Sequence, residues 1–118
     1  MAGFAIVRDS QIESAGNWRL VRRALGLEAF GINMVDIAPG ESIPEHDETA
    51  RDQEEVFLAL DGDATIVIDG AEHHLPVGAF ARLDPERTRT VVNKGDTTVR
   101  VMIISAPTTS GYEPMDWA

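Results

Sequence analysis

Residues 55–75, EVFLALDGDATIVIDGAEHHL, decide the fold, because two Asp-Gly pairs divide them into three short, largely apolar runs. Asp61-Gly62 and Asp69-Gly70 are typical of two-residue β-hairpin turns, whose backbone needs positive φ angles that glycine adopts freely. The first two runs are rich in Val, Ile, Leu and Phe, most of which favour strands. The stretch therefore predicts an antiparallel meander of three consecutive strands.

The same pattern of short strands and turns extends over most of the chain. Turn residues recur about every ten positions, a spacing typical of a β-sandwich or barrel. Before the barrel we predict a short strand at 4–7 and one helical turn at 18–23. We predict one all-β domain over 1–118, with an N-terminal strand and turn at 1–29, a barrel core at 30–105 and a C-terminal tail at 106–118. The predicted core strands are 30–37, 55–60, 64–68, 72–75, 79–83, 88–93 and 98–105.

The composition excludes several classes of partner. Twenty acidic and ten basic residues give the chain a net charge of −10. This charge repels nucleic-acid phosphates and acidic membrane surfaces, so we expect neither partner. The chain has no cysteine, which excludes disulfides and thiolate metal sites. No apolar run is long enough to span a bilayer and the start shows no signal-peptide pattern, so we expect a cytoplasmic protein.

The predicted strand at 55–60 is mostly apolar on both faces. Alternate side chains of a strand point to opposite faces, and a strand that is apolar on both faces is covered on both. The second face then needs another sheet, the N-terminal segment or a second subunit, and we expect a homodimer. The two faces are Glu55, Phe57 and Ala59 on one side and Val56, Leu58 and Leu60 on the other.

Two longer stretches resemble the two sequence motifs of the cupin family. Residues 40–62, GESIPEHDETARDQEEVFLALDG, are similar to the first motif, in which Gly, His-x-His and Glu precede an apolar strand closed by Gly. Residues 78–93, GAFARLDPERTRTVVN, are similar to the second, which runs from Gly through Pro and His to Asn. The resemblance covers about 30–105 and implies a small cupin-type antiparallel β-barrel, a jelly roll also called a double-stranded β-helix.

The resemblance also implies a site for one divalent metal inside the barrel, held in the family by three histidines and one glutamate. His46 matches the first histidine, Glu48 takes the place of the second, and Glu55 best matches the glutamate. The last ligand position falls on Arg89, or on Thr90 if the register slips, because the motif's proline comes one position late. Neither of these two residues is an ordinary metal ligand.

Two interpretations of this site remain open. One imidazole and two carboxylates form a hard, oxygen-rich set that suits iron(II), manganese or magnesium more than copper, and iron, manganese, nickel and zinc are the ions to test. An inward Arg89 would instead supply the positive charge itself and repel a divalent ion. Two unit charges 4 Å apart interact by roughly 4 kcal/mol at an effective dielectric constant of about 20. A metal-free Arg–Glu pair and a metal site are therefore alternatives.

Three functions follow from these residues. The first is a small-molecule-binding cupin, in which Phe57 and Arg89 bind a small carboxylate or other anion and His46, if the protein is an enzyme, is the catalytic base. The second is a metal-dependent oxygenase or isomerase that uses His46, Glu48 and Glu55. The third is a non-catalytic ligand-sensing domain, because a fold alone does not determine function. His73 and His74 are strand neighbours that face opposite ways and cannot chelate one ion together.

Overall fold

Two antiparallel sheets face each other in the computed structural model, which describes residues 3–118. The six-stranded sheet has the order β1-β2-β3-β9-β4-β7 and the three-stranded sheet the order β6-β5-β8. A 3-10 turn at Asp9–Gln11 and one short helix, α1 at Val21–Leu25, lie before the long strands. The strands are β1 Ser14–Ala15, β2 Trp18–Arg19, β3 Gly31–Ile37, β4 Gln53–Asp61, β5 Ala64–Ile68, β6 Ala71–Leu75, β7 Phe80–Leu83, β8 Arg89–Val92 and β9 Val99–Pro107.

All seven predicted core strands are present within two residues of their predicted ends. The predicted N-terminal strand is absent, and the predicted helical turn begins three residues later than expected. Residues 4–7 form no strand, and Trp18 and Arg19 are in β2, so the helix begins only at Val21. Gly16 explains the second error, because its φ of 60° permits a two-residue turn that pairs β1 with β2.

The two Asp-Gly pairs behave differently, and the predicted three-strand meander is wrong in its first half. Asp69 and Gly70 have φ angles of 49° and 82°, and they join the paired strands β5 and β6 as predicted. Asp61 has no positive φ, and only Gly62 does, at 81°. The strand β4 pairs with β7 and β9 instead of β5, so the Asp61-Gly62 turn carries the chain from one sheet to the other.

The core lies between the sheets and confirms the predicted faces of β4. Phe57 is 0% and Ala59 1% exposed, and Glu55 reaches the same interior with 6% exposed. The largest fully buried side chain among residues 3–118 is nevertheless a cation, Arg89, with 0% exposed. The interior therefore combines an apolar core with a cluster of ionisable groups.

No helix in the described range is long and apolar enough to cross a bilayer.

Candidate functional site

His46 and Arg89 enter the barrel side by side because their backbones pair. The His46 N–H donates to the Arg89 carbonyl at 3.0 Å, and the Arg89 N–H donates to the His46 carbonyl at 2.8 Å. Residues that exchange both bonds stand directly opposite each other, with their side chains on one face. Backbone pairing between β8 and the loop that joins β3 to β4 thus places this imidazole and this guanidinium together.

The structure brings together the three residues that the sequence suggested as metal ligands. His46 Nε2 lies 3.7 Å from Glu48 Oε1 and 3.5 Å from Glu55 Oε1. The three ligand atoms all lie within 4.8 Å of one another. The Glu48 backbone is held in turn by a 2.8 Å hydrogen bond from its N–H to the Pro85 carbonyl. We call His46, Glu48 and Glu55 the acidic triad.

The hydrogen bond of His46 Nδ1 determines which ring nitrogen faces the two carboxylates without a hydrogen. His46 Nδ1 lies 3.0 Å from the Pro44 carbonyl oxygen, which can only accept, so Nδ1 carries the hydrogen. In the neutral ring, Nε2 then presents a lone pair to two carboxylate oxygens. Three acceptors therefore converge, and a cation between them, either a proton or a metal ion, makes this arrangement favourable.

Arg89 stands behind Glu55, away from solvent. Its Nε lies 3.8 Å from Glu55 Oε1, and its Nη2 donates to the Asp84 carbonyl at 2.8 Å. Glu55 Oε1 and the Arg89 atoms Nε and Nη1 are buried without a hydrogen-bond partner. The pair is thus held by charge attraction across a short gap.

The pKa of Glu55 is raised above its ordinary value. Burial of the carboxyl is the largest cause, and the negative charge of Glu48 adds to it. Arg89 and His46 act against the rise but do not cancel it. Glu55 can therefore hold a proton more readily than an exposed glutamate.

An open cavity of about 310 Å³ leads to the acidic triad. Arg51, which is exposed, lies at its mouth, and the same arginine also lines an adjoining depression with Arg22. Sequence patterns did not single out Arg51. The uncharged polar side chains that line the cavity are Asn33, Gln53 and Ser105.

The two residues predicted to bind a ligand do not line this cavity. Phe57 is 0% exposed within the apolar core, and Arg89 is 0% exposed behind Glu55. Their direct contact with a ligand stays a prediction. Thr90, the alternative to Arg89, directs its hydroxyl to the Ile43 carbonyl at 2.6 Å, so Arg89 is the residue beside Glu55. His73 is exposed, away from the site.

The donor set fits a hard divalent metal in kind and number. An imidazole and two carboxylates supply three ligands, and the orphaned Oε1 of Glu55 is one of them. The Nδ1–H bond to a backbone carbonyl is also the usual support of a metal-binding imidazole. The opposing feature is the buried guanidinium of Arg89, which already offsets part of the negative charge.

The fold is that of a cupin. The chain matches the cupin domain family over residues 33–105, and it therefore belongs to that family. The search of curated proteins found no match.

Solved structures show the same fold. A cupin protein from Bacteroides fragilis is 19% identical, with a TM-score of 0.82 over 99% of this chain and 94% of that one. A predicted oxalate decarboxylase from Thermotoga maritima is 18% identical, with a TM-score of 0.72 over 87% and 99%. A sugar phosphate isomerase of the cupin superfamily from Silicibacter pomeroyi is 22% identical, with a TM-score of 0.67 over 79% and 61%.

Proposed function

We propose that this cupin binds a small anionic metabolite in its barrel cavity. The observation that carries the proposal is the opposite charge of the two ends of the cavity, with Arg51 at the mouth and the acidic triad inside. The volume of about 310 Å³ lies at the lower end of the range for ligand sites, which suits a metabolite of few atoms. A ligand would direct its carboxylate to Arg51 and a neutral or cationic group to the triad.

Arg51 is the cation that a ligand can reach. Its side chain makes no hydrogen bond or ion pair within residues 3–118, so its planar fork of donors is available for a carboxylate. Arg89 does not line the cavity and its side chain is 0% exposed, so it is less accessible to a ligand than Arg51. The proposal therefore assigns anion binding to Arg51 and the neutralisation of Glu55 to Arg89.

The acidic triad suits proton transfer at the inner end of the cavity. His46 Nε2 can accept a proton from a bound ligand, and Glu55, with its raised pKa, can hold one. A reaction of the isomerase or lyase type would use both groups. The names of two similar proteins, an isomerase of sugar phosphates and a predicted oxalate decarboxylase, also concern small anions. A ligand-sensing domain would use the same cavity without turnover.

Replacing Arg51 with alanine tests the anion-binding role. We expect at least one of oxalate, malonate, succinate and inorganic phosphate to raise the melting temperature of the wild-type protein. In Arg51→Ala the affinity for that anion should fall roughly 10- to 100-fold, since a hydrogen bond to a charged group contributes about 1.5–3 kcal/mol. Arg23→Ala is the matched control, because Arg23 is exposed and lines neither the cavity nor the adjoining depression. Equal affinity in Arg51→Ala and wild type would contradict the proposal.

A second candidate function is favoured by the three converging acceptors of the acidic triad. A divalent ion bound there would act as a Lewis acid on a ligand in the cavity. His46, Glu48 and Glu55 would hold it and leave further positions for water or ligand. Glu55 would be ionised by the ion, and Arg89 would weaken binding by repulsion.

Metal titration decides between a proton and a metal ion in the acidic triad. If the site is a metal centre, protein purified without chelators should contain near-stoichiometric metal or bind added iron(II), manganese, nickel or zinc. His46→Ala should then lower the affinity at least about tenfold, since even the loss of a group that only supports a ligand typically costs about that much. His73→Ala is the matched control, because this exposed histidine lies outside the triad. Protein that contains no metal and binds none on titration would exclude the metal site. The measurement of anion affinity in Arg51→Ala does not depend on this result.

A further inference from the structure

One wall of the cavity is built from neighbouring positions on three paired strands. On β9, Ser105 pairs with Gly31 of β3 on one side and with Glu55 of β4 on the other, so its side chain stands beside Glu55 on the inward face. Asn33 lies two residues after Gly31, and Gln53 lies two residues before Glu55. Side chains two positions apart on a strand point the same way, and all three polar side chains line the cavity. We call Asn33, Gln53 and Ser105 the polar wall.

The side chains of the polar wall are not used by the fold. All three residues are half-buried, and within residues 3–118 none of their side chains makes a hydrogen bond. Their polar atoms are not among those sealed in the interior without a partner, so the cavity gives access to them. Two carboxamides and one hydroxyl can both donate and accept hydrogen bonds. The polar wall can therefore bind a ligand group that also does both.

The glycine at residue 31 keeps the Ser105 hydroxyl in this position. A Cβ at Gly31 would lie 2.6 Å from Ser105 Oγ, too close for either atom to stay where it is. The φ angle of Gly31 is not positive, so the backbone alone does not require glycine there. The missing side chain instead leaves room in the cavity for the hydroxyl and for a ligand beside it.

We propose that the polar wall binds a hydroxyl group of the ligand, which is then a small hydroxylated carboxylate. This inference rests on the proposed function, in which Arg51 binds the carboxylate. A hydroxyl can donate to Glu48 or Glu55 and accept from the polar wall at the same time, whereas a methylene group does neither. An ammonium group only donates, and it would leave the amide donors of Asn33 and Gln53 without an acceptor. A hydroxyl is the group that satisfies both the acidic triad and the polar wall.

Three acids that differ at a single carbon test the proposal. Succinate has a hydrogen at this carbon, malate a hydroxyl and aspartate an ammonium group. We expect the wild-type protein to bind the preferred enantiomer of malate about 3- to 10-fold more tightly than succinate or aspartate, the usual effect of one added hydrogen bond. The rise in melting temperature across a concentration series of each acid gives the three affinities.

Replacing Ser105 with alanine locates the preference in the polar wall. Ser105→Ala should lower the ratio of malate to succinate affinity by about threefold or more, because it removes the hydroxyl opposite Glu55. The ratio is the readout, since a general loss of stability changes the affinity for both acids together. Ser42→Ala is the matched control, because Ser42 is exposed and does not line the cavity; it should keep the wild-type ratio.

Three outcomes would overturn the proposal. Wild-type protein that binds malate no more tightly than succinate would exclude a hydroxyl subsite. Aspartate that binds more tightly than malate would assign an ammonium group to the inner end of the cavity. A preference for malate that Ser105→Ala leaves unchanged would assign the hydroxyl to the acidic triad alone.

These outcomes are distinguishable from a failure of the proposed function. If no anion binds the wild type, or if binding does not depend on Arg51, the proposed function fails and the hydroxyl subsite fails with it. If an anion binds in an Arg51-dependent way but the hydroxyl brings no gain, only the hydroxyl subsite is excluded. The comparison of the three acids uses the wild-type chain, so it does not depend on the folding of any variant.

Discussion

Replacing Arg89 with methionine should lower the free energy of unfolding by about 3–5 kcal/mol near neutral pH, the usual effect of removing one partner of a buried ion pair. Arg89 is fully buried, and its Nε lies 3.8 Å from Glu55 Oε1. Without it, Glu55 would be a buried carboxylate beside a second carboxylate, Glu48. Methionine keeps much of the length and volume of the side chain, so the loss reports mainly on charge.

The loss in Arg89→Met should become smaller as the pH falls. Arg89 opposes the rise in the pKa of Glu55, so its removal lets burial and Glu48 raise that pKa further. A carboxyl whose pKa is raised by folding costs no stability below its unfolded pKa. The cost grows as pH rises from there and is complete above the folded pKa. The free energy of unfolding of the variant should therefore be closer to that of the wild type at about pH 5 than at about pH 8. At the higher pH, Glu55 must either ionise in a buried site or keep its proton, and both cost stability.

Urea unfolding at both pH values, followed by circular dichroism, measures these effects. The double variant Arg89→Met/Glu55→Gln should recover most of the stability at the higher pH, because it removes both buried charges. Arg23→Met is the matched control, since this exposed arginine should change stability by no more than about 0.5 kcal/mol. An equal loss at both pH values, with no recovery in the double variant, would show that Arg89 contributes packing alone.

Truncation of Phe57 to alanine should cost about 3–5 kcal/mol, the typical effect for a fully buried phenylalanine. The ring is 0% exposed and its strand neighbours are Ala81 and Ile103, so the surroundings can close the gap only in part. Thermal and urea unfolding give the value. Phe4→Ala removes the same ring from a site that is 75% exposed and should change stability by no more than about 0.5 kcal/mol.

Phe57→Leu separates a core role from the ligand-binding role that the sequence suggested. Leucine keeps an apolar side chain of similar size, so most of the stability should remain. Because the ring does not line the cavity, the affinity for the anion identified with Arg51→Ala should stay within about twofold of wild type, well under 1 kcal/mol. A tenfold weaker affinity in a stable Phe57→Leu variant would return Phe57 to the ligand site.

Local patterns in the sequence determined the seven core strands and the faces of β4, and the resemblance to a family motif selected the residues of the acidic triad. Alternation along β4 sorted Glu55 and Phe57 to the inside, because the period of a strand depends only on the backbone. Asp69-Gly70 specified the β5–β6 hairpin, because both residues adopt the positive φ that this turn needs. The positions of His46, Glu48 and Glu55 within a stretch that resembles a cupin motif also identified the three side chains that lie together in the barrel.

Only the tertiary structure decided which strands pair and which charged groups a ligand can reach. The pairing of β4 with β9 joins residues far apart in the chain, and it overrides the short-range signal of Asp61-Gly62. Sequence patterns selected Arg89 for an anion and not Arg51, yet Arg51 is exposed and lines the cavity whereas Arg89 is buried beside Glu55. The strand pairing and the accessibility of the two arginines both depend on how remote segments pack against each other. No local pattern in the sequence contains that information.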